Sequence, residues 1–85
     1  MPIIPIQRFS SETLSTLVDK EVKEYLNSLE GRDPTCLYRQ IIDLVELPLL
    51  KLIIKHTGGN ESRAANCLGV NRATLRSKLK RHGLL

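Results

Sequence analysis

The sequence predicts an all-α protein: a four-helix subunit with a C-terminal helix-turn-helix, completed by a second copy of the same chain. Three observations carry this expectation. Apolar residues recur at i, i+3 and i+4 through most of the chain, strand-favouring aromatics are scarce, and one central segment is apolar on every side. The only aromatics are Phe9, Tyr25 and Tyr38, whereas Leu, Ile and Val abound. With 85 residues the chain fits one domain, yet so short a chain buries a modest fraction of its surface. A partner subunit or a staple is therefore expected. Cys36 and Cys67 do not supply the staple, since they lie far apart and outside any CxxC or Cys/His cluster. They read as small buried hydrophobes in a reducing compartment, with no metal and no cofactor implied.

Residues 1–12 contain Pro2, Pro5, Gln7, Arg8 and a Ser pair without helical or strand period, and read as a mobile N-terminal arm. The chain opens with no charged segment leading into an apolar run, so it is expected to stay in the cytoplasm. From Thr13, Leu14, Leu17, Val18, Val22, Tyr25, Leu26 and Leu29 fall on one helical face, with Asp19, Lys20, Lys23 and Glu24 opposite. Gly31 closes this first helix. The run Gly31-Arg32-Asp33-Pro34-Thr35 is then a turn, with Thr35 or Asp33 available to cap the next helix.

Cys36 to Thr57 is the most apolar stretch and, as a helix, spans about 33 Å. Asp43, Glu46, Lys51 and Lys55 interrupt it, so it lacks the unbroken apolar run of a membrane span. A helix apolar on all sides must be buried on all sides, and one amphipathic helix from the same chain cannot cover it. The simplest cover is a second subunit, with a homodimer interface along Leu37, Tyr38, Ile41, Val45, Pro48, Leu49 and Leu52. Residues 13–57 thus form the dimerisation helices. Pro48 removes an amide donor and crowds the carbonyl of Leu44. A kinked continuous helix is favoured over a break, because no Gly or Asn turn adjoins the proline.

Residues 58–85 form the helix-turn-helix. Asn60 caps a short helix from Glu61 to Leu68, with Glu61 well placed against the helix dipole. Gly69-Val70-Asn71 turns into a last helix, Arg72 to His82, ended by Gly83. Ala65, four residues before Gly69, lets the helices approach, and glycine accepts the positive φ of a short turn. Leu68, Val70, Leu75 and Leu79 fill the space between them. Arg72, Thr74, Arg76, Ser77, Lys78, Lys80 and Arg81 then form a basic, polar outward surface suited to a DNA major groove.

Charge follows the same division. Residues 1–50 hold 5 Lys/Arg against 8 Asp/Glu, a net −3, whereas residues 51–85 hold 8 Lys/Arg against Glu61 alone, a net +7. Such asymmetry is the footprint of a polyanion partner. Plainer readings exist for single residues. Asn71 serves equally as a helix cap; Lys78, Lys80 and Arg81 also complement the dipole at a helix C-terminus. Arg72 is harder to explain that way, since a cation at a helix N-terminus opposes the dipole unless an anion joins it. His56 and His82 read as structural, and Tyr25 and Tyr38 as core or interface residues.

The run Gly59-Asn60-Glu61-Ser62-Arg63-Ala64-Ala65, followed by Leu68-Gly69-Val70-Asn71-Arg72-Ala73-Thr74-Leu75-Arg76-Ser77-Lys78-Leu79-Lys80, resembles the C-terminal signature of the bacterial Fis family. Leu37-Tyr38 and Val45-Glu46-Leu47-Pro48-Leu49-Leu50 are similar to that family too, so the resemblance covers roughly residues 14–85. It implies an intertwined homodimer built on crossed central helices, a nucleoid-associated protein that bends DNA with relaxed sequence specificity and regulates transcription. By position, it implies that Asn71, Arg72 and Thr74 contact bases, that Asn60, Ser62, Arg76 and Lys78 hold phosphates, and that Arg81 touches flanking backbone. Gly58 and Ser77 stand where the best-known member has a basic residue and a lysine, which weakens the backbone grip or the wrapping of flanking DNA without touching the base readers. The short arm lacks a recognisable hairpin turn, so a recombination-enhancer role is not carried over.

Two further function classes fit the residues less well. A protein-binding module would use the apolar helix for a different partner and leave the basic surface incidental. An enzyme lacks support: no Gly-rich phosphate loop, metal spacing or Ser/Cys-His-Asp arrangement is present, and no small-molecule substrate is implied.

Overall fold

The computed structural model describes residues 11–85, which form four helices in the order α1 (Ser11–Ser28), α2 (Leu37–His56), α3 (Glu61–Leu68) and α4 (Arg72–Arg81). Among the described residues there is no strand. The arm expected over residues 1–12 lies outside the described residues except for its last two, which belong to α1. The chain divides into two compact units, one ending at Thr35 and one spanning Cys36–Leu85.

In the first unit, Asp19 and Lys23 pair across one turn of α1 at 2.8 Å. Of the apolar stripe read from the sequence, Leu14, Leu17, Val18, Tyr25 and Leu26 remain exposed, and Val22 and Leu29 are partly covered. The helix ends in a turn where Leu29 and Glu30 donate to the carbonyls of Leu26 and Asn27 and the backbone swings to positive φ at Glu30 and Gly31.

The second unit begins differently from expectation. Neither Asp33 nor Thr35 occupies the N-cap position of α2; Cys36 does, in the left-handed conformation at φ 54° and without a side-chain capping bond. The first turn of α2 closes on the Cys36 carbonyl, which accepts from the Gln40 amide at 3.1 Å, so the helix begins beyond Asp33 and Thr35. Cys36 and Cys67 are both exposed free thiols rather than buried hydrophobes. On α3 the buried side is taken by Ala64 and Ala65, and Cys67 lies at its exposed flank.

α2 runs unbroken through Pro48. Its sole fully buried side chain is Leu50, which joins Ala64 and Ala65 of α3 and Leu75 and Leu79 of α4 in one core, with Ile53, Ile54, Leu68, Val70 and Leu84 packed around it. The expected filling of the helix-turn-helix is therefore observed, with Leu50 added as a peg from α2. At the end of α2, Thr57 is buried and its hydroxyl donates to the Ile53 carbonyl at 2.9 Å, so the buried oxygen is satisfied. No helix among the described residues is long and apolar enough to cross a membrane.

The turn between α3 and α4 hangs on Gly69, whose φ is +77° and whose amide donates to the Asn66 carbonyl at 3.2 Å. A Cβ there would meet nothing within 4 Å, so substitution carries a purely conformational cost. Gly69→Ala should lose about 1–2 kcal/mol, the left-handed penalty of an L-residue, and Gly69→Asn clearly less. Urea unfolding at unchanged m-value checks both, and equal losses would show that side-chain clash rather than φ governs the site.

Candidate nucleic-acid interface

The two short helices are fixed by local chemistry at their starts. The Asn60 side-chain oxygen accepts from the Arg63 amide at 3.0 Å, and the Asn71 oxygen accepts from the Thr74 amide at 2.8 Å. Each asparagine therefore caps through its oxygen and keeps its NH₂ as a donor for an acceptor outside the protein. Both are exposed, as are Ser62 and Arg72 beside them.

The outward side of α4 carries a shallow depression lined by Ala73, Thr74, Ser77, Lys78 and Arg81. Small residues at 73 and 77 let a surface approach closely, with polar and charged groups at the rim. Arg72, at the first position of α4, and Lys80 have no ion-pair partner among the described residues. Arg72 is thus a cation at the positive end of a helix with no protein anion beside it.

The remaining cations of α4 are held. Arg76 Nη1 donates to both oxygens of Glu61, at 2.8 and 3.0 Å, tying α4 to the first residue of α3. Lys78 Nζ pairs with Glu46 Oε2 at 2.9 Å, and His82 Nε2 lies 2.9 Å from the other oxygen of the same carboxylate. Arg81 pairs with Asp43. Lys78 and Arg81 line the outward depression, and each of Arg76, Lys78 and Arg81 is also paired with a carboxylate. Asp43 and Glu46, about one turn apart on α2, are partners that helical periodicity alone does not assign; their signal in the sequence is two acids, three residues apart, in a mostly apolar helix. Asp43, Glu46 and His82 bring ligand atoms within 4.8 Å of one another, but Lys78 and Arg81 already neutralise the two carboxylates.

The profile of the bacterial regulatory protein, Fis family, matches residues 41–82. A DNA-binding protein Fis from Glaesserella parasuis is 48% identical over 67 residues, covering 79% of this chain and 68% of the relative. The corresponding protein of Psychromonas ingrahamii is 41% identical over 95 positions, covering 92% and 96%, and that of Haemophilus influenzae is 44% identical over 75, covering 88% and 76%. The chain belongs to the Fis family. It is a regulatory protein and not an enzyme.

Within this member of the Fis family the α2 carboxylates hold the second half of α4. The Lys78 ammonium, hydrogen-bonded to Glu46, holds that carboxyl below the ordinary glutamate range; partial burial opposes this and His82 assists it. A carboxyl whose pKa is lower folded than unfolded stabilises the fold at neutral pH, and that contribution fades as pH falls below about 4.3. Glu46→Gln should therefore be less stable than the parent at pH 7, with the gap closing on acidification toward pH 3. Parallel urea titrations across that range check it, and a gap independent of pH would show that charge at Glu46 is not what matters.

Proposed function

We propose that the chain binds double-stranded DNA as a homodimer, with residues 13–57 forming the dimer and residues 58–85 entering the major groove, and that it bends the duplex. What carries the DNA reading is Arg72: exposed, without a protein anion, at the N-terminus of a helix that follows a capped turn. A phosphate or the acceptor edge of guanine supplies what that position lacks, and the forked guanidinium suits guanine. Asn71 and Thr74 flank it as further base contacts. Asn60 and Ser62 offer phosphate donors at the start of α3. Arg76, Lys78 and Arg81 reach phosphates from pre-oriented positions, each already held by a carboxylate. The related proteins named above are DNA-binding proteins, which supports the same reading. Nucleoid organisation and transcriptional regulation in the bacterial cytoplasm, with relaxed sequence specificity, are the corresponding role.

The homodimer is supported by the uncovered apolar side of α2. Tyr38 is 80% exposed and Leu52 66%, with Val45 and Leu49 about half exposed. Pro48 lies among them, and Leu37 and Ile41 are partly covered.

Base reading and backbone grip separate by mutation. Arg72→Ala should lose about 1–3 kcal/mol on a guanine-bearing site and flatten the preference there, whereas Lys78→Ala should weaken all sequences alike. Gel shifts on matched and mismatched duplexes check this, and sequence-independent losses from both changes would remove Arg72 from base reading.

Bending follows if the two recognition helices of a compact dimer sit closer together than successive major grooves, which lie about 34–36 Å apart on straight DNA. Docking both then requires the duplex to curve and its central minor groove to narrow, at a cost of about 1–6 kcal/mol that depends on sequence. Sites with A/T-rich centres between guanine-bearing half-sites should bind more tightly than sites with G/C-rich centres. Circular-permutation mobility and a set of sites varied only at the centre test it; bound DNA migrating as straight would refute it.

A further inference from the structure

Residues 36–85 contain nine Lys/Arg and three Asp/Glu. Each of those carboxylates is engaged by an α4 cation: Glu61 by Arg76, Glu46 by Lys78 and Asp43 by Arg81. Lys51 and Lys55 are among the cations left without an acidic partner among the described residues. They are four residues apart on α2, both exposed, and so stack on one side of the helix. Both line a depression that also takes in Gly59 and Glu61, at the start of α3, and Leu84 and Leu85 near the chain end. Like charges in that spacing repel. Lys55 in the last turn complements the dipole of α2, but Lys51 stands outside that turn and gains little from it.

We infer that Lys51 and Lys55 form a second phosphate-binding strip, gripping the DNA backbone that flanks the stretch read by α4. The inference rests on the DNA-binding reading and extends it. The strip adjoins the start of α3, where Asn60 and Ser62 offer phosphate donors, and its depression shares no residue with the one on the outer side of α4. The phosphates it meets therefore lie beyond those held around the recognition helix. Two flexible ammonium groups one helical turn apart suit a sugar-phosphate chain, which presents charge along a line and asks for no fixed fork geometry.

Salt titration of binding on two duplexes tests it, one spanning only the half-sites and their centre, the other extended on both sides. Replacing both lysines (Lys51→Gln with Lys55→Gln) should lower the slope of log K against log salt on the extended duplex by about 2 per subunit, one phosphate per lysine, and leave the short duplex unchanged. The arginine pair (Lys51→Arg with Lys55→Arg) should keep the parent slope on both. An unchanged slope on the extended duplex, an equal drop on both duplexes, or a loss in the arginine pair matching the glutamine pair would each overturn the inference. Failure of the unaltered protein to bind even the short duplex would instead remove the DNA-binding reading.

Discussion

The structure depends on one constraint: α2 is apolar around most of its circumference, yet of its 20 residues only Leu50 is fully buried within the chain. Leu44 is 73% exposed, and Tyr38, Val45, Leu49 and Leu52 lie open as well. Apolar surface left in water forgoes roughly 25 cal/mol per Å², and contiguous patches of this kind mark interaction surfaces rather than ordinary monomer exteriors. The proposed second copy supplies the missing cover. Among the described residues the buried core comprises only three leucines and two alanines, a small core for a fold to rest on.

The same helix anchors the helix-turn-helix. Leu50 enters the core between α3 and α4, while Asp43 and Glu46 hold Arg81, Lys78 and His82 at the far end of α4. One apolar peg and one pair of carboxylates thus fix α4 to the element proposed to dimerise, so that α2 sets where the recognition helix points. The arrangement has an electrostatic consequence. Three of the cations in α4 give up part of their field to internal acids, and Arg72 and Lys80 are left to present theirs to solvent. A held lysine loses less side-chain freedom on meeting a phosphate, which offsets part of what the carboxylate takes away.

What was legible in the sequence was local. Asn60 and Asn71 cap helices through bonds to the amides three residues on, Gly69 takes positive φ, and Leu75 and Leu79 are buried, all as the residue pattern indicates. The unbroken passage of α2 through Pro48 was legible as well, since no turn-forming residue flanks the proline. The failures lie where placement depends on the rest of the fold. The pairs Lys78–Glu46 and Arg81–Asp43 span 32 and 38 residues, and helical periodicity alone does not say which charged side of α4 faces which side of α2. Cys36 shows a different limit. Its left-handed backbone, unusual for a residue other than glycine, moves the helix start past both residues with good capping side chains. Cys67 was assigned to the core by residue type, whereas its position on α3 turns it outward.

The most direct measurement is sedimentation equilibrium over a wide dilution range, with helical circular dichroism recorded on the same samples. If α2 is stable only when a second copy covers it, dissociation and loss of helix should occur together, and the thermal midpoint should rise with protein concentration. A monomer that keeps its full helical signal at the lowest concentrations would contradict this, because α2 would then tolerate its apolar surface in water and the fold would not require a partner.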